Sequence, residues 1–318
     1  MTTSAPTPAS ILAIDFGGTR TRAAWFNEKL ELIQRAETLS QVDQPARSVI
    51  ARMIETARSV IPEGQLPQAI GIAAPGPLDP QNGIIHYVKT IPNWHEVPLA
   101  TNVSAAFDNA PTFMQNDGNL AVLAEYHLGA AKGADPALYL TVSTGIGGGA
   151  IIDGKLFAGA RGMAIEPGHL RFTLPGGEIV RWEQLASGTA IGQIARERLA
   201  RTDAPSILRD IAQVDGQAVG EAARAGDRFA LNLIQETGRW LGLGLVNLIH
   251  VFNPRVIVIG GSVSTLGELI FAPAREVIQE HVLHPDFVFE DFIRPPHFGD
   301  DVCLYGAALY ARERLLSS

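Results

Sequence analysis

One pattern restricts this chain more than any other: a short apolar run, a glycine turn and a second apolar run, occurring twice. Ile11-Leu12-Ala13-Ile14 passes through Asp15 and Phe16 into Gly17-Gly18, and Thr21 to Phe26 follows. Ala137 to Val142 passes into Thr144-Gly145-Ile146-Gly147-Gly148-Gly149, and Ala150-Ile151-Ile152 with Asp153-Gly154 follows. Runs of this length bounded by glycine read as buried strands joined by tight turns. The two copies are offset by about 127 residues, far too long for a solenoid repeat and suited to two related lobes. A third strand meets glycine where Arg255 to Ile259 ends in Gly260-Gly261.

The segments between these junctions alternate helix and strand, which predicts an α/β fold. Val49, Ile50, Met53, Ile54, Ala57 and Val60 repeat at three and four, giving a helix over 45–60 that Pro62 and Gly64 terminate. Ala69 to Ala74 reads as a buried strand, and Pro75 to Gly83 as a loop at its carboxyl end, where open α/β sheets bind ligands. Thr112 to Met114 is a brief strand, and Asp117 stands where the next helix starts. Glu183 to Leu199 and Gly216 to Val251 read as helices; Gly238, Gly242 and Gly244 in the second, each about 1 kcal/mol poorer than Ala in a helix, are assigned to close backbone packing. A last strand at Val302 to Leu304 leads into a terminal helix from Tyr305.

Composition bounds the function. A chain of 318 residues, 46% hydrophobic and 18% charged, fits two domains of about 150 residues each. With 33 acidic and 25 basic side chains the formal charge is −8, which repels nucleic acid and anionic membrane, and no basic patch overrides it. The single cysteine, Cys303, excludes an intrachain disulfide and any multi-cysteine metal site, so a reducing, cytoplasmic setting is expected. Residues 1–10 carry no signal or transit pattern and are expected to be disordered. The longest apolar stretch, Leu241 to Ile259, is interrupted by Asn247, His250, Asn253, Pro254 and Arg255 and is poorly suited to cross lipid.

Glycine after a buried strand lets backbone amides approach a phosphate or an adenine ring, and three such turns beside the hydroxyls of Thr19 and Thr144 point to nucleotide binding. Each turn alone is an ordinary feature. Two common nucleotide motifs fail on the letters. A dinucleotide fingerprint must open a helix, whereas Gly145 to Gly149 leads into Ala150-Ile151-Ile152, a strand. Gly149 to Lys155 spells G-x-x-x-x-G-K, but Leu156 replaces the magnesium-holding hydroxyl and Asp153-Gly154 is hairpin chemistry.

Taken together, Asp15-Phe16-Gly17-Gly18-Thr19, Ala74-Pro75-Gly76-Pro77, Asn116-Asp117, Ser143-Thr144-Gly145-Ile146-Gly147-Gly148-Gly149, Glu166-Pro167-Gly168-His169 and Ile259-Gly260-Gly261 resemble the ROK family of sugar kinases and repressors. The likeness extends from Ile11 to Tyr305-Gly306-Ala307-Ala308. It implies the actin-like ATPase fold, two ribonuclease-H-like α/β lobes with sugar and ATP in the cleft between them. The small lobe would comprise 11–116 with the terminal helix 305–318, and the large lobe 117–304.

The resemblance also implies roles. Asp117 would be the general base that takes the proton of the sugar 6-hydroxyl; read locally, it is equally an aspartate capping a helix. Asp15 would orient Mg²⁺ through water; read locally, it initiates a turn. Glu166 and His169, with Gly76, Asn116 and Glu183, would hold the hexose. Gly17, Gly18, Thr19, Thr144, Gly145, Gly147, Gly260 and Gly261 would line the ATP phosphates and base. Many family members follow the Gly-His pair with a cysteine-rich zinc site. Phe172 to Trp182 contains no cysteine, so a zinc site of that type is excluded and packing, with Trp182, must hold the loop.

The expected activity is an ATP-dependent hexose kinase, a glucokinase before all, with N-acetylglucosamine, N-acetylmannosamine, mannose, fructose and allose as alternative substrates. The segments Pro75 to Pro80 and Ile91 to Trp94 would decide among them. A sugar-responsive repressor would need a helix-turn-helix region, for which ten residues before the first strand leave no room. A non-catalytic sugar sensor would not need Asp117. A homodimer or higher homo-oligomer is expected from the family likeness and from the frequency of symmetric dimers.

Overall fold

The computed structural model describes residues 10–88, 91 and 94–317. Residues 1–9, part of the stretch expected to be disordered, and Pro92 and Asn93, in the segment expected to select the substrate, lie outside the described residues. The chain forms two compact units. One comprises the chain up to Gly129 together with Leu156–Ala164 and His297 onward; the other comprises Ala130–Lys155 and Ile165–Pro296.

The first unit begins with β1 (Ile11–Phe16), β2 (Arg20–Phe26) and β3 (Leu32–Leu39), an antiparallel meander whose first turn is Gly17-Gly18. Helix α1 (Ala46–Arg58) and strand β4 (Ala69–Ala74) follow, then the short strands β5 (Leu78–Asp79), β6 (Ile84–Tyr87) and β7 (His95–Val97). Helix α2 (Leu99–Ala105) leads to β8 (Thr112–Asn116), which runs directly into α3 (Asp117–Leu128). The main sheet has the order β3-β2-β1-β4-β8, with β4 and β8 parallel to β1. Leu12, Ile14 and Phe16 alternate into a core with Val49 and Met53 of α1. Asp15 lies on the opposite face, as the period of a strand requires.

The second unit repeats this plan. Strands β9 (Ala137–Val142), β10 (Ile146–Ile152) and β11 (Lys155–Leu156) form a meander. The hairpin β12 (Arg171–Thr173) and β13 (Ile179–Arg181), helices α4 (Glu183–Ala186), α5 (Gly188–Arg201), α6 (Gly216–Arg224) and α7 (Arg228–Phe252), and strand β14 (Val256–Gly260) follow. Helix α8 (Glu268–His281) and strand β15 (Ile293–Arg294) complete it. Its sheet order, β11-β10-β9-β14-β15 with β14 parallel to β9, matches the first sheet strand for strand. The internal repeat read from the glycine turns is therefore a repeat of topology. The chain then returns to the first unit as α9 (Val302–Leu316).

Several sequence readings need correction. Val302 to Leu304 is the first turn of α9, not a strand; three apolar residues carry too little periodicity to separate the two. The helix expected over Gly216 to Val251 is two, because Gly226 takes φ +89° and Asp227 caps α7 by accepting from the Ala230 N–H at 2.9 Å. Ser187 similarly ends α4 and caps α5. Gly147 to Gly149 lie inside β10, so the second turn is Ser143 to Gly145. The boundary at 116/117 also moves: α3, residues 156–164 and 297–304 belong with the first unit, since α3 packs on α9.

The glycines of α7 do allow close packing. A Cβ at Gly238 or Gly242 would press on backbone atoms of α8, and one at Gly244 would overlap the Trp182 ring.

Candidate active site

In the first unit the predicted residues gather where the parallel strands end. Register pairs Asp15 with Ala73 and Ala74 with Asn116, so Asp15, the Pro75-Gly76 loop and Asn116-Asp117 leave one edge of the sheet. The carboxyl ends of parallel strands are where α/β sheets take ligands. Gly17, Gly18 and Thr19 form the adjoining turn, with Gly18 facing open space. Ser40, absent from the sequence reading, secures that turn from below: its hydroxyl donates to the Gly17 carbonyl at 2.7 Å and its N–H to the Thr19 carbonyl at 2.9 Å.

Asp15 is 7% exposed and accepts from Arg22 Nη1 at 3.1 Å. Burial pushes its carboxyl up to about 6, against the pull of Arg22 and with added repulsion from Asp117. Asp117 is the first residue of α3, not its cap. Asn116 caps the helix, its Oδ1 accepting from the Gly118 N–H at 3.0 Å. The N-cap position read for Asp117 is thus taken by its neighbour, and the Gly118 N–H is shared between the two side chains. Burial raises the Asp117 carboxyl above its ordinary range, while the Gly118 N–H donated to Oδ1 at 2.7 Å and its own N–H oppose the rise. Two desolvated carboxyl groups with repulsive coupling suit a cation and a proton-accepting role.

In the second unit the predicted residues surround the β9–β10 turn. Gly188 N–H donates to the Ser143 carbonyl at 2.6 Å, fixing Ser143-Thr144-Gly145 against the start of α5. Glu183 lies on that turn: a Cβ at Gly145 would sit 3.0 Å from its Oε2, and its Oε1 is 3.2 Å from Arg181 Nε. Strands β9 and β14 are parallel with Gly260 beside Thr141, so Gly260-Gly261 opens at the same edge. Gly261 takes φ +90°, and a Cβ there would meet the Val142 carbonyl oxygen at 2.5 Å. Gly260 is buried against the Tyr139 hydroxyl and Gly147 beside Thr141, so both face protein.

Glu166 and His169 are exposed on a single 3₁₀ turn whose His169 N–H donates to the Glu166 carbonyl at 3.1 Å. Gly168 packs that turn onto the Ile146 carbonyl. The preceding residue, Ile165, has φ +64°, a left-handed conformation that is a true outlier for a β-branched side chain. Strain of this kind persists where surrounding structure imposes it, and it concentrates at functional sites.

The loop 172–182 is a hairpin. Phe172 pairs with Val180, and the Trp182 N–H donates to the Leu170 carbonyl at 2.8 Å. The fully buried Trp182 ring lies on Gly244, and its Nε1 donates to the Trp240 carbonyl at 2.8 Å. A cavity of about 350 Å³ in the first unit, lined by Thr101, Ser104, Thr112, Tyr310 and Arg314 among others, takes in Pro80 at the end of the loop expected to select the substrate but none of the predicted catalytic, sugar-binding or nucleotide-binding residues. The predicted residues of the first unit lie at the strand ends instead.

The chain is 32% identical to the glucokinase of Thermotoga maritima, over 96% of this chain and 98% of that one. Among solved structures it is similar to a ROK family glucokinase from Streptomyces griseus in complex with glucose and AMPPNP, at 30% identity and TM-score 0.81, covering 96% of this chain and 99% of that one. The ROK hexokinase of Thermus thermophilus gives 31% identity and TM-score 0.78, covering 97% and 100%. The fold is the actin-like ATPase fold, its two sheets being the ribonuclease-H-like pair. The ROK family model matches residues 11–314, and the chain belongs to the ROK family.

Proposed function

We propose that this protein transfers the γ-phosphoryl group of ATP to the 6-hydroxyl of a hexose, with glucose as the first substrate to test. The observation that carries this reading is the place of Asp117, a half-buried carboxyl with a raised pKa just past the end of a parallel strand, beside Asp15 on the same sheet edge. Its relatives support the substrate class: the Thermotoga maritima protein is a glucokinase, and the Streptomyces griseus enzyme was solved with glucose and AMPPNP.

Phosphoryl transfer requires mainly positioning and charge stabilisation. The Asp117 carboxylate accepts the 6-hydroxyl proton as that oxygen bonds to the γ-phosphorus and the bond to the ADP oxygen breaks. The raised pKa makes the carboxylate a better proton acceptor. Glu166, His169, Glu183, Asn116 and Gly76 would hold the remaining sugar hydroxyls. The turns at Gly17 to Thr19, Thr144-Gly145 and Gly260-Gly261 would take the nucleotide, with Gly147 and Gly260 shaping them from behind.

A divalent cation held through water, not by a direct ligand cluster, suits the first unit: among the described residues no three carboxylate, thiol or imidazole groups gather as ligands, and the Asp15 carboxyl, paired with Arg22, has Asp117 and Asp301 as like charges. Asp15 would hold Mg²⁺ through water, and the ion would supply charge neutralisation to the phosphates. Assembly as a homodimer or higher homo-oligomer and a cytoplasmic location complete the proposal.

The test is a coupled ADP-release assay with MgATP over glucose, mannose, fructose, allose, N-acetylglucosamine and N-acetylmannosamine, with Asp117→Asn as the blank. Activity on one hexose that disappears in the variant supports the reading. ADP release with none of these sugars by the wild type, or equal release by Asp117→Asn, overturns it.

A further inference from the structure

Helix α9 carries three residues, Cys303, Gly306 and Tyr310, spaced by three and four and so on one face. Each meets the segment that bears Asp117. The Cys303 thiol donates to the Asp117 backbone carbonyl, Sγ to O 3.7 Å, and it stays protonated because burial and the carboxylates of Asp15 and Asp117 push its pKa well up. Gly306 lies so close to the Leu120 carbonyl that any Cβ would overlap it, which locks α9 onto the first turn of α3. The Tyr310 hydroxyl faces the Gln115 side chain, which counters the upward push of burial on its pKa.

Gln115 is 3% exposed, and its bonds run toward the same place. Its Oε1 accepts from the Asn116 N–H at 2.8 Å and from Asn119 Nδ2 at 3.2 Å. The turn at Asp117 is therefore fixed at three points. Gln115 holds the Asn116 N–H, Asn116 holds the Gly118 N–H, and Cys303 holds the Asp117 carbonyl. A buried carboxamide is retained only where its donors and acceptors are met, and here the partners it meets adjoin the base or back it.

We propose that Gln115, Tyr310 and Cys303 are positioning residues that fix the Asp117 backbone, so that α9 governs the turnover of the reaction through the placement of its base. The inference rests on the assignment of Asp117 given above. A reacting group misplaced by about 1 Å loses roughly 10²-fold in rate, so the effect belongs in kcat. KM for the sugar and for MgATP reports contacts made by other residues.

The experiment measures kcat and both KM values for Gln115→Leu, Tyr310→Phe, Cys303→Ala and Cys303→Ser, with thermal unfolding as a check on folding. Gln115→Leu is expected to lower kcat by about 10- to 100-fold and Tyr310→Phe by a smaller factor, with each KM within about twofold of wild type. The double variant Gln115→Leu/Tyr310→Phe should be no slower than Gln115→Leu alone, because Tyr310 acts through Gln115. Cys303→Ser, which keeps a donor, should retain more turnover than Cys303→Ala.

Wild-type kcat in folded Gln115→Leu and Tyr310→Phe overturns the inference, as does a rise in KM that accounts for the whole loss. Should Gln115→Leu fail to fold, Tyr310→Phe and the Cys303 pair decide the matter by the same criteria. Asp117→Asn separates the two layers. If it retains turnover, the base assignment fails; if it is inactive while the positioning variants turn over normally, only the present inference fails.

Discussion

Arg22 stands directly across the β1–β2 ladder from Asp15, and its Nη1 donates to Asp15 Oδ2 at 3.1 Å. Glu37 continues the row on β3, paired with Arg22 in register and 3.8 Å from its Nε. Glu37 in turn joins Arg20 and Arg35, and Arg35 reaches Asp301 at 2.8 Å before the first turn of α9. The row places one guanidinium against a carboxyl that burial would otherwise neutralise.

The first prediction concerns stability. The Asp15 carboxyl has an ordinary value of 3.8 and about 6 in the folded protein. Between these values the folded chain holds a proton that the unfolded chain has released, so stability falls as pH rises through the window. The penalty is absent below about 3.8, complete above about 6, and on the order of 3 kcal/mol. Denaturant titrations of wild type and Asp15→Asn at pH 4 and pH 7 should therefore diverge, the wild type losing ground at the higher pH. Parallel pH dependence in the two proteins would show that Asp15 is not the group responsible.

Activity should run the opposite way. An Asp15 that orients a cation must be ionised, so turnover should fall as pH drops through about 6, with the limb belonging to the coupled pair Asp15 and Asp117. Arg22→Met removes the guanidinium that lowers the Asp15 pKa. The acid limb of the pH–rate profile should then move to higher pH. A limb that stays in place would separate Arg22 from the charge state of the site.

How much of this was legible in the sequence follows from the physics of each element. The two meanders were readable because their inner strands are continuous apolar runs closed by glycine, a signal that survives without tertiary context. Strand β3 was not, because LIQRAETL is an edge strand whose charged residues serve the Arg22–Glu37 row, and its burial pattern is weak. The sheet β5-β6-β7 was missed because its strands are only two to four residues long. Asp15, Asn116-Asp117 and the Glu166 turn were visible as motifs. Arg22 and Ser40 were not, since their partners are brought to them by strand pairing and loop packing, which no local spacing encodes; Gln115 carries no motif, and its burial is set by the packing around β8. The division into units was misplaced for the same reason: α3 follows β8 without a break, and only its contact with α9 assigns it.

Glu166 and His169 are exposed on one strained turn. Glu166→Gln is expected to raise KM for the hexose about tenfold or more, since a hydrogen bond to a charged group is worth about 1.5–3 kcal/mol, and His169→Ala by about tenfold or less, an ordinary bond being worth about 0.5–1.5 kcal/mol. The KM for MgATP should change little. Calorimetric titration with the sugar checks this directly, and unchanged sugar affinity in both variants would remove the pair from the sugar shell.

The hairpin that follows His169 supplies the last prediction. A zinc-clamped loop derives its order from thiolates, and removing the metal unfolds it. Here Trp182 does that work by different means. Its ring is fully buried on Gly244, its Nε1 donates to the Trp240 carbonyl, and its N–H ties the strand end to Leu170. Phe172 meets Trp240 edge to face at 6.0 Å on the other strand. Glu183 follows Trp182 directly and His169 precedes Leu170, so one residue, through its indole and its backbone N–H, anchors both candidate sugar ligands. Incubation with a zinc chelator should leave Tm unchanged. Trp182→Ala should cost roughly 3–5 kcal/mol, the range for deleting a buried aromatic ring, and Gly244→Ala roughly 1–3 kcal/mol or more through overpacking. In the Trp182 variant the hexose KM should rise more than the MgATP KM, because the loosened elements are the hairpin and the start of α4. A chelator-induced fall in Tm, or a Trp182→Ala protein of wild-type stability, would place the order of the loop elsewhere.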